Sequence, residues 1–470
     1  MIRRLLLLIP LLLPVSFGAP AQDRGNLTGG LESNSIWYSD GALRSNNYLK
    51  LDYIKGRFSA GLQAEYYPEP LLGYDANLKG IGLPEKYIAW TDRHWSITAG
   101  DFYEQLGTGI LLRSWEDRDL GWNNSLGGGR LSFSTADDLL SFKLLGGFRR
   151  QYLWYSRNGL AAAETVLRLG DFSFEGSAVL KHDGYSSAFS YGVVGSYEYG
   201  GFSAKAEWVG TQSGNSQYLE LGYAKRRFSS SLTLRRLQNM HDPMGMNYLP
   251  SLSQEQSYML ACLNPYTTFE AGEIGGNADL FYRYKSWKLH LNGALIFALP
   301  SALENYDVCR MAYRDVNIEL EKRWGKRLKT VAYVSIQENS PSHGDRKATV
   351  AQNVFVLDGV YRTRGALSLR FQAQYLYSQE LTKDWMAALL ELSSTAGWSV
   401  HVKDMYNHGS TGEHYYEAGA SWTRDAFKLD LSYGHQRAGL VCSGGVCRWQ
   451  PEFTGGLLRL KYQFQTKRAQ

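Results

Sequence analysis

This sequence predicts an all-β fold, an antiparallel transmembrane β-barrel, and three observations carry the prediction. Apolar and polar side chains alternate with a two-residue period over almost the whole chain, tight charged or Gly turns interrupt the alternation, and an export leader precedes it. Phe202, Ala204, Ala206 and Trp208 alternate with Ser203, Lys205 and Glu207. Leu367, Leu369, Phe371, Ala373 and Tyr375 alternate with Ser368, Arg370, Gln372 and Gln374. Side chains of a strand point to opposite faces in turn, so each segment has one apolar wall and one wet wall. In an exported chain that repeated pattern reads as strands with one face to lipid and one to a lumen.

The leader comes first. Arg3 and Arg4 precede an apolar run from Leu5 to Leu13, and Ala19 and Ala21 provide a small-x-small cleavage site before Gln22. Residues 1–21 are therefore expected to be a signal peptide and residues 22–470 a single barrel domain. No Cys at the cleavage site offers a thiol for a lipid anchor. Beyond the leader no apolar run reaches the ~18 residues a membrane helix needs. The mean hydropathy of −0.34 is what a barrel gives when every second residue is polar. The net charge of +5, or +3 without Arg3 and Arg4, is small and evenly mixed, so nothing points to nucleic acid.

The strand pattern begins at about residue 27, close to the expected mature N-terminus, which argues against a separate folded plug in front of the barrel. Tight turns follow at Lys55-Gly56-Arg57, Asp92-Arg93-His94, 135 to 138, Gly170-Asp171, Gly200-Gly201, Lys225-Arg226-Arg227, Lys285-Ser286, 324 to 326, Thr363-Arg364-Gly365, Thr395-Ala396-Gly397 and Arg424-Asp425-Ala426. Each joins two alternating segments, as hairpin turns do. Longer polar segments lie between them at 68–84, 105–126, 182–189, 238–275, 298–312, 339–350, 406–413 and 438–452. Short turns alternating with long loops are the periplasmic and extracellular ends of an outer-membrane barrel. The hairpins and the segments 27–38 and 454–464 predict about 24 strands, within a range of about 18 to 26, with both termini periplasmic.

An aromatic share of 14% supports two interfacial girdles. Candidate members near strand ends are Trp37, Tyr38, Tyr66, Tyr67, Trp90, Trp95, Tyr197, Tyr199, Phe202, Tyr284 and Trp287. Four cysteines in an exported chain permit disulfides. Cys442 and Cys447 bracket a flexible spacer and are the expected local pair; Cys262 and Cys309 would then pair by elimination. No cysteine or histidine spacing points to zinc, and no cofactor is expected.

So wide an open lumen would breach the permeability barrier, so inward-folded loops are expected to fill it. Segment 105–126 with the preceding Glu104 breaks the alternation and mixes both charges with Trp115 and Trp122. Glu104, Arg113, Glu116, Asp117, Arg118 and Asp119 are its candidate constriction residues, and a solvated external loop with internal ion pairs is the plainer reading. Residues 240–276 form a second long segment that caps the lumen or docks a partner, unless Ser257 to Leu263 builds an extra hairpin. Wall residues expected to face water are Lys50, Asp52, Lys143, Lys205, Glu207, Arg235, Lys288, His290, Glu319, Glu321, Arg370, His401, Lys403, Lys428 and Asp430. Their interleaved signs suit small neutral or zwitterionic solutes.

No G-x-S-x-G, H-E-x-x-H or Walker-type motif occurs, so no enzyme is expected. Rim histidines His182, His241, His343, His408 and His414 are the places where a Ser/His pair could assemble.

The strings Ser45 to Tyr53, Gly100 to Arg113 with Glu116-Asp117-Arg118 and Leu120-Gly121, and Asn247-Tyr248-Leu249-Pro250 with Tyr266 and Gly272 to Gly275 resemble an uncharacterised family of porin-like outer-membrane proteins of the Bacteroidetes. The resemblance spans nearly the whole mature chain and implies location and fold without a substrate. Gly100 to Arg113, with the strand at Gly128 to Leu131, is also distantly similar to alginate-export barrels, which implies a channel for a polar polymer or its fragments. The expectation is an outer-membrane channel for passive diffusion of small polar solutes, with outer-membrane lipid and the solutes as partners. The alternative is a barrel sealed by its own loops that serves as an assembly or surface-binding partner for envelope proteins.

Overall fold

The computed structural model describes residues 25–254, 256–305, 309–340, 349–379, 383–443 and 446–466. The expected leader, residues 1–21, lies outside the described residues. Twenty-four antiparallel strands form one sheet. It closes because the first strand, Asn26–Tyr38, pairs both with the second, Leu43–Lys55, and with the last, Phe453–Gln465. Closure leaves no strand edge, so the ladder runs all the way round the wall; where it shifts register, side chains take over, as where Asp101 accepts from the Lys86 amide at 2.7 Å.

All eleven expected turns join neighbouring strands at one end of the barrel, the end that also carries Asn26 and Gln465. At Gly170-Asp171 the two-residue connection between Trp154–Leu169 and Phe172–His182 places Gly170 at φ +59°, a conformation glycine adopts without strain. The opposite end carries the long loops, but its connections at 39–42, 152–153 and 211–214 are short. The expected loop 68–84 stops earlier. A 3-10 turn at Ala76–Leu78 leads into the strand Gly80–Thr91. The expected loop 438–452 contains its own hairpin, Gly439–Ser443 with Val446–Gln450.

The outward face is apolar: Leu31, Ile97, Leu144, Val193, Ile318, Leu357, Val402 and Leu431 are all exposed. Trp37, Tyr66, Trp95, Tyr199, Tyr284 and Trp287, with Phe202 among them, are exposed near strand ends, where the polar tips of Trp and Tyr rings meet headgroups. Tyr38 and Tyr67 do not belong to that belt, because strand parity turns both inward. Tyr67 donates to Glu65 at 2.8 Å, and Tyr38 accepts from the Leu72 amide at 3.1 Å.

Cys442 and Cys447 are joined by a disulfide, with S–S 2.05 Å. Cys262 and Cys309 are thiols rather than the second bridge expected by elimination. The Cys262 thiol donates to the Tyr258 carbonyl of its own turn at 2.8 Å.

Candidate functional site: two loops meeting inside the barrel

The segment between strands Trp95–Phe102 and Leu126–Ser134 turns into the lumen instead of outward. Two minimal hairpins shape it, Gln105–Leu106 with Leu112–Arg113 and Glu116–Asp117 with Trp122–Asn123. Its tip reaches Glu175, the fourth residue of Phe172–His182 counted from the short-turn end. Glu175 accepts from the Gly107 amide at 2.8 Å. Glu207 accepts from the Thr108 amide at 3.2 Å and from the Thr108 hydroxyl. Gly107 is at φ +59°, and a Cβ there would overlap the Glu207 carboxylate, so the tip requires glycine.

The six expected constriction residues divide by role. Glu104 anchors the root of the segment, paired with Arg130 at 3.3 Å and Lys143 at 3.1 Å. Arg118 pairs with Glu32 at 3.1 Å and Glu116 at 3.3 Å, donates to Gln63 at 3.0 Å and lies over the Tyr48 ring. Burial by itself lowers the Arg118 pKa, and the neighbouring Glu116 and Glu32 outweigh it to give a net rise. Asp117 accepts from the Leu120 amide, closing the turn of its hairpin. Asp119 is largely exposed, 3.6 Å from Arg459. Arg113 is not ion-paired among the described residues; its guanidinium stacks 4.0 Å from the centroid of Tyr248 and 5.1 Å from that of Trp115.

Tyr248 belongs to the second inward segment, the connection 239–271. The two segments are joined by backbone bonds, with the Arg113 amide donating to Met246 O at 2.7 Å and the Tyr248 amide to Gly109 O at 2.9 Å. Asn124 adds a bond to Gly245 O at 3.0 Å. Met240, Met244, Met246 and Leu249 pack with Leu106, Ile110, Leu111 and Leu112 against the wall residues Leu145, Leu160, Val179, Val209 and Leu237. This apolar core lies inside the barrel, where the alternation alone leads one to expect only polar side chains.

The second segment then crosses to the far wall. Tyr258, Leu260 and Leu263 pack on Tyr333, Val354, Leu376 and Trp385. The Leu260 amide donates to Gln374 at 3.1 Å and Asn264 to Gln352 at 2.9 Å. Ser257 to Leu263 forms consecutive turns rather than the extra hairpin, with Ala261 N and Cys262 N both donating to Tyr258 O. The segment ends on Glu273, which pairs with fully buried Arg235 and accepts from Tyr266 OH at 2.5 Å and the Phe269 amide at 2.9 Å.

Toward the short-turn end the inner wall carries ion pairs of both signs. They include Lys143–Glu164 at 2.7 Å, Lys288–Glu321 at 2.9 Å, Arg370–Asp358 at 2.6 Å and Lys428–Asp430 at 3.3 Å, and Lys403–Glu417 at 3.2 Å adds one nearer the loop end. Of the rim histidines, His241 and His414 are held by Glu270 and Asp404, and His182 contacts Ser187 Oγ at 3.2 Å. His343 lies outside the described residues. Among the described residues no group of three metal-ligating side chains could hold an ion.

The anchors Glu175, Glu207, Gln63 and Glu273 were not singled out as loop contacts by sequence. Inward parity marks such residues as polar wall, but only the path of a distant loop selects which of them it touches.

Among solved structures, the chain is similar to the translocation pore of the P pilus usher PapC, at 11% identity and TM-score 0.49, covering 94% of this chain and all of that one. It is similar to the copper transporter OprC at 11% identity and TM-score 0.46, covering 96% and 82% of the two chains. OccAB3 of Acinetobacter baumannii gives 10% identity and TM-score 0.41, covering 95% of this chain and all of that one. These likenesses concern barrel shape alone. No curated protein matches the sequence. A family model matches residues 1–464, and the chain belongs to that family, DUF6029, a family of unknown function.

Proposed function

We propose that this protein is an outer-membrane channel for small polar solutes, closed at rest by its two inward loops and opened when the segment at 105–126 leaves the wall. The closed 24-stranded wall with an apolar outer face supports that location. The observation that carries the reading is a loop tip bonded to two wall carboxylates, Glu175 and Glu207, on an inner wall that carries ion pairs of both signs. Paired charges of both signs leave little net field, which suits neutral or zwitterionic solutes over strong ion selection. Glu104, Arg118 and Glu116 in this reading set the position of the constriction, and Arg113 clasps the two loops together.

The apolar core shared by both loops and the wall favours a second reading, a permanently sealed barrel that binds envelope partners. Single-channel conductance of the refolded mature chain, beside a variant lacking residues 113–119, separates the two. Discrete openings in the unaltered protein, more frequent or larger in the variant, support the channel. Correctly folded unaltered protein that stays silent at every voltage overturns it.

A further inference from the structure

A cavity of about 400 Å³ lies at the loop end of the barrel, between the Glu116–Asn123 hairpin, the residues around Tyr74, the turn at Tyr152 and Arg448. Three of its lining residues each carry a buried donor with no hydrogen-bond partner among the described residues: Trp122 Nε1, Arg149 Nε and Arg150 Nη1. Arg150 is 97% buried; its other nitrogens are used by Glu65 at 2.6 Å and by the Tyr152 carbonyl at 2.7 Å. Arg149 has no carboxylate within ion-pair distance among the described residues and stacks 5.7 Å from the Trp122 ring centroid.

The lining carboxylates, by contrast, are engaged. Glu65 is paired with Arg150, Glu116 with Arg118, Asp75 accepts from Tyr152 OH at 3.1 Å, and Asp117 from the Leu120 amide. Burial pushes the Tyr74 hydroxyl up to about 12, so it stays a neutral donor, bonded to the Arg118 and Asp119 carbonyls. The unmet demand of this cavity is therefore for acceptors beside a guanidinium that makes no ion pair among the described residues, and unpaired donors in a shielded site are costly unless a ligand satisfies them.

We propose that the cavity binds a small organic oxyanion, a carboxylate or a phosphate or sulfate ester on a body about the size of one sugar ring. The oxyanion would take hydrogen bonds from Arg149, Arg150 and Trp122 while its body lies among Tyr74, Tyr152 and Trp122. Drug- and metabolite-sized ligands occupy cavities of this order, with aromatic walls and a few convergent polar groups. Because the bound ligand would tie the Glu116–Asn123 hairpin to Arg149 and Arg150 of the strand Leu140–Gln151, binding would stiffen the inward loop whether or not the barrel conducts.

The test is titration calorimetry of the refolded full mature chain in detergent with sodium gluconate, glucose 6-phosphate and sodium sulfate, and with glucose as the neutral control. At least one anion binds, glucose does not, and the preferred anion separates a carboxylate from a phosphate or sulfate ligand. Arg149→Gln weakens that binding about tenfold or more, and Trp122→Phe, which keeps the ring and deletes the N–H, weakens it by a smaller factor. Trp122→Phe decides the matter if Arg149→Gln fails to fold by gel shift on boiling. No heat with any anion overturns the proposal in favour of a water-filled cavity, and binding unchanged in both folded variants overturns it in favour of a site elsewhere.

Discussion

Removing the Glu207 side chain tests how firmly the inward loop is held. Glu207 is buried in the wall, and its carboxylate receives both the amide and the hydroxyl of Thr108. Each hydrogen bond to a charged group contributes about 1.5–3 kcal/mol. Taking the lower figure for both, Glu207→Ala weakens docking of the tip by about 3 kcal/mol, which corresponds to about a hundredfold more opening. Hydrogen exchange followed by mass spectrometry reads this directly. The Thr108 amide exchanges faster trivially, having lost its acceptor, so the informative amides are those of Gly109 and Arg113. They donate to Leu106 O and Met246 O, away from Glu207. Their exchange accelerates about a hundredfold if the tip and the loop clasp open as a unit. Unchanged exchange at Gly109 and Arg113 in a barrel that still shows the gel shift would refute the view of Glu207 as a latch.

Glu273→Ala leaves Arg235 fully buried without its counter-ion and frees Tyr266 OH and the Phe269 amide, so it destabilises the barrel by about 3–5 kcal/mol, read as a lower urea midpoint of the folded gel band. Ile318→Arg, at the middle of the outward face of Met311–Trp324, costs about 2–4 kcal/mol on insertion into bilayers, while leaving the inner wall untouched. Cys442→Ser releases the hairpin Gly439–Ser443 and Val446–Gln450, with a local effect of about 2 kcal/mol or less for so short a loop. Proteolysis near residue 443 rises in that variant, and the boiling-dependent shift of the barrel is unchanged.

The barrel was legible because a strand's two-residue period exposes its lipid face directly. Val402 and Leu431 read as apolar wall, and Lys403 and Asp430 as lumen, before any contact is known, and the register confirms each. Girdle membership was less legible. Tyr38 and Tyr67 stand at strand ends beside Trp37 and Tyr66, and only the parity of the paired strand assigns one of each couple to lipid and the other to an inner cluster, Tyr67 with Tyr48 and Tyr38 with Ile36 and Leu71. Segment 105–126 was recognisable as irregular and charged, but its charges are mostly spent on anchoring. Alternation cannot say that Arg113 meets Tyr248, 135 positions away, or that Gly107 meets Glu175.

By itself the sequence determined the closed antiparallel wall, its eleven short turns and the sidedness of its loops. Period, turn chemistry and side-chain polarity are local properties that each hairpin expresses without reference to the rest. Only the tertiary structure decided that the two long segments enter the lumen, clasp each other and build an apolar core with Leu145, Val179 and Val209. It also brought Arg149, Arg150 and Trp122 to one cavity. The two loops leave the wall about a third of the way round the barrel from one another, and the curvature of the closed wall, rather than any local pattern, brings them within reach.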